Sequence, residues 1–112
     1  MLPSISRRAA NESSFRALNE LIENRALARG GRSETVFLVL CECAREECQD
    51  RIQLQVSDYE LVRARPRTFI VLAGHRDPEL ETVVLETDEY EIVEKIGEAG
   101  VIAERAGARE PA

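Results

Sequence analysis

The chain has 112 residues, with 15 basic against 21 acidic side chains, one His and three Cys. That length gives one domain, large enough for a continuous core and small enough that a metal staple adds materially to its stability. With 44% hydrophobic and 32% charged residues it is too apolar to be wholly disordered, and its longest apolar run, Val36 to Cys41, is too short to cross a bilayer.

The formal charge of -6 is unevenly placed: residues 1–56 carry eight basic and eight acidic side chains, residues 57–112 seven and thirteen. That excess of negative charge repels phosphate backbones and argues against general nucleic-acid binding. Aromatic residues are few (Phe15, Phe37, Tyr59, Phe69 and Tyr90) and fall where a core needs them, not where bases would stack. Fourteen of the fifteen basic residues are Arg, which we read as compositional bias. Met1 to Arg8 leads into Ala9-Ala10-Asn11-Glu12 and not an apolar stretch, so no secretory signal is expected and a cytoplasmic location follows by default.

In chain order, residues 1–10 have no period and are expected to form a flexible arm. Asn11 is a good N-cap, and Phe15, Leu18, Leu21, Ile22 and Leu27 recur at helical spacing up to Gly30-Gly31. This predicts an amphipathic helix with its apolar stripe laid on a sheet. Thr35 to Cys43 is β-branched, aromatic and apolar on both faces, as a buried central strand requires. Arg51 to Val56 alternates, with Ile52, Leu54 and Val56 on one face. Ser57-Asp58-Tyr59-Glu60 has the form of a capping box and predicts a short helix to about Ala64. Pro66 stops it, and Thr68 to Leu72 is a further strand ending at Ala73-Gly74-His75. Thr82 to Glu86 and Tyr90 to Lys95 predict a hairpin about Thr87-Asp88-Glu89. From Gly97 the chain is Gly, Ala and charge, with weak helical potential in Val101 to Ala106, and 97–112 is expected as a flexible tail. The domain proper is then 11–96: an α+β fold with an N-terminal helix packed on a mostly antiparallel four- to five-stranded sheet and a short inserted helix.

One constellation carries chemistry. Cys41-Glu42-Cys43 and Cys48 place three thiols within eight residues. In an extended strand Cys41 and Cys43 project together while Glu42 points away from them, and Cys48 can return over a polar turn. Crowded thiolates repel one another unless a soft cation neutralises them, and tetrahedral Zn²⁺ wants a fourth donor. If the first strand runs toward the cysteines, the second away and the third back, the third delivers His75, the only His, to the same place; Gly74 permits the turn. Cys41, Cys43, Cys48 and His75 are therefore the expected ligands of a closed, structural zinc site, with Asp77 as a substitute for His75. Scattered reduced thiols, or a redox or sulfur-transfer site, are the other readings of the same cluster. Arg63, Arg65, Arg67 and Arg76 form a candidate basic patch. The acidic run from Glu79 to Glu94 reads as a solvated hairpin and not as paired catalytic carboxylates.

The combination of Asn11-Glu12-Ser13-Ser14-Phe15-Arg16, Cys41-Glu42-Cys43, Cys48, Tyr59-Glu60, Pro66, Phe69 and Gly74-His75 resembles a group of short uncharacterised proteins of high-GC actinobacteria. The likeness covers roughly residues 11–97. It implies a shared design with the same four ligands, and no particular activity. The expected function is a small zinc-stabilised cytosolic adaptor or regulatory module that binds a protein partner, with a homodimer also open. The alternatives are a thiol-redox or metal-dependent enzyme, or a weak nucleic-acid-binding zinc protein.

Overall fold

A computed structural model describes residues 3–107. Its elements are α1 (Ile5–Ala28), β1 (Val36–Leu40), β2 (Arg51–Gln55), α2 (Val56–Arg63), β3 (Thr68–Leu72), β4 (Glu81–Glu86), β5 (Tyr90–Lys95) and α3 (Gly97–Gly107). This is the expected α+β fold. Its five strands are divided between two antiparallel sheets, β1-β2 and β3-β5-β4.

Four of the five strands fall within one residue of their expected spans because each is written locally, in alternation or in a β-branched run, whereas β1 ends at Leu40 and not at Cys43. Ile52 and Leu54 are buried while Arg51, Gln53 and Gln55 are exposed. Thr68–Leu72 pairs in register with Tyr90–Glu94 on the centre strand of its sheet, and β4 pairs with β5 through a bulge at Val83/Leu85. The β4–β5 turn is held by Thr87, whose amide and hydroxyl both donate to the Tyr90 carbonyl. The core lies between the sheets and α2: Val39, Ile52, Tyr59, Val62, Phe69, Ile70, Val71 and Val93 are buried. Phe37 meets Tyr59 edge-on, with ring centroids 6.0 Å apart.

Four expectations are corrected. First, α1 begins at Ile5 and not Asn11, so residues 5–10 are helix. Ser4 is its N-cap, its hydroxyl accepting the Arg7 amide at 3.2 Å. The buried Arg8 guanidinium then fixes this first turn to Asp77 and Glu79. Second, α1 is rotated from its expected face, with Phe15 and Ile22 of the apolar stripe only half buried. Its buried side is Arg8, Ala9, Glu12, Arg16, Asn19 and Glu23, whereas Leu18 and Leu21 are 47% and 65% exposed. Third, β1 is not buried on both faces: it pairs only with β2, and Val36 and Leu38 are half exposed. Fourth, α2 starts at Val56 with Gln55 as N-cap and no side-chain cap, so Ser57 lies inside the helix and caps nothing.

The expected tail is also helical as far as Gly107; residues 108–112, like 1 and 2 of the expected arm, lie outside the described residues. Glycines at 97, 100 and 107 weaken α3's intrinsic propensity, and its stability comes from docking. Ala99 and Ala103 are buried. The guanidinium of Arg16 donates to the Ala103 carbonyl at 2.8 Å and to Pro66 at 2.6 Å, and Arg63 donates to Gly107. Two buried cations thus meet the negative end of α3, the favourable pole for them. A Cβ at Gly107 would lie 1.9 Å from an Arg16 nitrogen, so a larger residue there has to displace that guanidinium. Arg16 also stacks on Phe69, 4.0 Å from the ring centroid, with Lys95 4.7 Å from the same centroid.

Candidate metal centre

The β1–β2 connection and the end of β3 build the site. Past β1 the ladder has one more rung, the Cys41 amide donating to the Asp50 carbonyl at 2.9 Å, which closes residues 42–49 into a loop. Within it the Cys48 amide donates to the Arg45 carbonyl at 3.2 Å, turning Cys48 back toward Cys41 and Cys43. From the other side, the His75 amide donates to the Leu72 carbonyl at 2.9 Å across a turn with Gly74 at φ 86°. Only glycine occupies that left-handed conformation at little cost.

These two turns bring the four expected residues together. The Cys41, Cys43 and Cys48 sulfurs and a His75 ring nitrogen lie within 4.8 Å of one another. His75 Nδ1 is 3.6 Å from Cys41 Sγ and 3.6 Å from Cys48 Sγ. A tetrahedral ion with metal–sulfur bonds of about 2.3 Å and metal–nitrogen bonds of about 2.0–2.1 Å needs sulfur and nitrogen about 3.6 Å apart. The donor set and its spacing therefore fit a bound metal ion. Cys41 and Cys43 are buried, and Cys48 and His75 are half buried, so the cluster is closed on its core side and reachable on the other.

The thiols are electrostatically unequal. The Cys43 thiol is pulled down to about 5, first by the hydrogen bond from Cys41, against burial, with the Arg45 backbone, His75 and Cys48 adding to it. Cys41 is raised, by that same bond and by burial, and Cys48 is raised by burial. The Leu72 amide points at Cys41 Sγ from 3.1 Å, an N–H···S contact that suits a thiolate ligand.

Two supporting residues were not apparent in the sequence. The Asp50 carboxylate lies 3.7 Å from His75 Nε2, the ring nitrogen left over when Nδ1 faces the sulfurs, and 3.7 Å from Cys48 Sγ. The geometry approaches a carboxylate–histidine–metal relay, and its only sequence signal is the Cys48-x-Asp50 spacing. Glu42 is the second. It points away from the thiols as expected, but into the core and not into solvent. Fully buried, its carboxylate accepts from Asn19 Nδ2 at 2.8 Å, the Tyr59 hydroxyl at 2.8 Å and the Ile70 amide at 3.0 Å. Burial raises its pKa and these bonds oppose the rise.

Other sequence candidates do not assemble. Asp77, the substitute ligand, is ion-paired with Arg8 and is not in the cluster. Arg63, Arg65 and Arg67 each hold a carboxylate, from Glu20, Glu94 and Glu104, so the expected basic patch is internally compensated; Arg76 stands apart, beside His75. In the acidic run, Glu79 pairs with Arg8 and buried Glu81 with Lys95. No described helix is long and apolar enough to cross a membrane. No protein-family model, curated protein or solved structure matches the chain.

Proposed function

We propose that the chain is a small zinc-stabilised binding module, in which Cys41, Cys43, Cys48 and His75 hold one structural Zn²⁺. The observation that carries this is the convergence of four soft donors within 4.8 Å from two separate turns. Three sulfurs and an imidazole select Zn²⁺ over harder cations. Four protein donors fill a tetrahedral zinc, leaving no position for an attacking water, so the site serves as a cross-link and not as a hydrolytic centre. The bound ion supplies the positive charge that lets three thiolates share one pocket. The chain supplies the rest: the Leu72 amide supports Cys41, Asp50 places a carboxylate beside His75, and Glu42 anchors the strand end between two ligands.

The cross-link ties the 42–49 loop of one sheet to the end of β3 in the other, so metal binding is coupled to the packing of the two sheets. A reducing, cytoplasmic compartment suits thiolate ligands of this kind. With its chemistry internal, the module acts through its surface, by contact with a protein partner.

Metal analysis of protein purified without an affinity metal column tests the site. About one zinc per chain is expected, with a large fall in melting temperature on adding chelator. Metal-free protein whose melting temperature ignores both chelator and added zinc would overturn it.

A further inference from the structure

The rotation of α1 away from its expected face leaves an apolar groove between it and the β1–β2 pair. Leu18, Leu21 and Ile22 form one wall and Leu38 and Leu40 the other, with Arg25 and Arg51 at its margins, around a volume of about 430 Å³. Leu21 is 65% exposed and Leu38 49%, and Val36 on the same strand is 51% exposed. A helix that buries Arg8, Glu12, Arg16 and Glu23 while presenting leucines to water is arranged for a covering partner.

We propose that this groove receives an amphipathic helix from a partner protein, its aliphatic side chains between α1 and β1 and its carboxylates on Arg25 and Arg51. The inference rests on the binding-module reading and names the surface and the partner chemistry. A helix fits better than a strand. The groove offers side chains, and where α1 meets the β1 main chain, Asn19 already holds both the Leu40 amide and carbonyl. Acidic flanks follow from the two guanidinium groups. Arg25 and Arg51, like Arg29, Arg32, Arg45, Arg76 and Arg105, have no ion pair among the described residues, and Arg51 borders Asp88 and Glu89 on its other side; what sets the two apart is that both line the apolar groove, which has no acidic residue in its lining. They are also apart along the groove. Arg51 sits opposite Leu40, where Asn19 docks, and Arg25 lies six residues further along α1, about 9 Å at 1.5 Å per residue. That is close to two turns of a bound helix. A second copy of this chain matches less well. If two α1 helices crossed antiparallel at Leu21, each Arg25 would fall beside Ala17 and Leu18 of the other copy, where the neighbouring carboxylate, Glu20, is already held by Arg63.

The test uses the zinc-loaded full chain and two synthetic helical peptides of about 15 residues, with Leu at i, i+3, i+4 and i+7 and either Glu or Lys flanking that stripe. Fluorescence anisotropy at low salt reads binding, and sedimentation velocity reads oligomeric state. The Glu peptide is expected to bind at least tenfold more tightly than the Lys peptide. Leu21→Glu and Arg25→Glu should each lose at least tenfold, while metal content and melting temperature stay at wild-type values. Equal affinity for the two peptides, no binding of either, or a wild-type dimer that Leu21→Glu converts to monomer would each overturn the proposal, the last by making a second copy the occupant. Zinc per chain is measured on the same samples. Normal zinc with no peptide binding sinks the groove alone, whereas absence of zinc sinks the module reading whatever the groove does.

Discussion

Glu42 and Ile70 hold the two sheets together by a reciprocal pair of bonds. The Glu42 amide donates to the Ile70 carbonyl at 2.8 Å, and the Glu42 carboxylate accepts the Ile70 amide at 3.0 Å. A side chain thus takes the part that a backbone carbonyl plays in a strand ladder. Because Glu42 lies between Cys41 and Cys43, the contact that joins the sheets also sets the position of two ligands.

Glu42→Gln should therefore be damaging, although its charge faces away from the metal cluster. The carboxylate receives three donors, from Asn19, Tyr59 and Ile70. A carboxamide keeps one acceptor oxygen and puts an NH₂ where the other accepted, leaving a buried donor opposed to a donor. A loss of about 1–3 kcal/mol is expected, corresponding for a chain of this size to a fall in melting temperature of several degrees. Urea unfolding checks it, and a loss below about 0.5 kcal/mol would mean the network is not under tension.

How much of this was readable beforehand follows from how far apart the determinants lie. The alternation of Ile52 and Leu54, the span of Thr68–Leu72 and the C-x-C-x4-C spacing are local signals, and they placed the strands and the thiols. His75 needed one further step, an antiparallel array of the first three strands; β1 and β2 do pair in this way, but β3 belongs to the other sheet, and the Glu42–Ile70 contact brings its end beside the thiols. The face of α1 was misread because apolar spacing marks a stripe without saying which way it turns. Arg16 is buried by acceptors 50 and 87 positions away and Glu12 by Lys95, 83 positions away. No local pattern contains those partners, and so α3, which depends on Arg16, shows in the sequence only as weak helical potential in Val101 to Ala106.

Asp50→Asn separates support from ligation. Asp50 is exposed and 3.7 Å from His75 Nε2, so replacing it removes charge and orientation without touching a ligand or the core. Zinc affinity, read by competition with a coloured chelator, should fall about 10- to 100-fold, with the zinc-saturated melting temperature little changed. Cys48→Ser, by contrast, should lose both the metal and much of the cooperative transition. Identical behaviour of the two variants would place Asp50 among the ligands.

Arg16→Met tests what docks α3. Met keeps part of the stem but leaves the Ala103 and Pro66 carbonyls without their donor and takes the cation from the Phe69 face. Each buried carbonyl left without its donor costs about 1–3 kcal/mol. Hydrogen exchange should localise the damage: amides of residues 99–107 are expected to lose protection first, with those of β3 and β5 retained. Uniform loss across the sheet would make Arg16 a general core element and not the anchor of one helix.

The last expectation concerns pH and one buried acid. Glu12, Glu81 and Lys95 form a sealed triad in which one ammonium faces two carboxylates, at 2.7 and 2.8 Å from Glu81 and in direct contact with Glu12. The second oxygen of Glu12 is buried without a partner. Burial, partly offset by Lys95, raises the Glu12 pKa to about 9 from an ordinary value of 4.5, so the folded chain holds a proton that the unfolded chain releases. With more protons bound in the folded state, stability must fall as pH rises. The contribution is fully present below about 4.5 and is lost progressively through about 9. Glu12→Gln carries the neutral form permanently and should remove this slope, making the variant more stable than wild type at the alkaline end of the window. The comparison is made as a difference between the two proteins at each pH with zinc saturating, so that proton competition at Cys41, Cys43, Cys48 and His75 cancels. Parallel curves for the two proteins from pH 5 to 9 would show that Glu12 is ionised in the folded state and that Lys95 compensates both carboxylates.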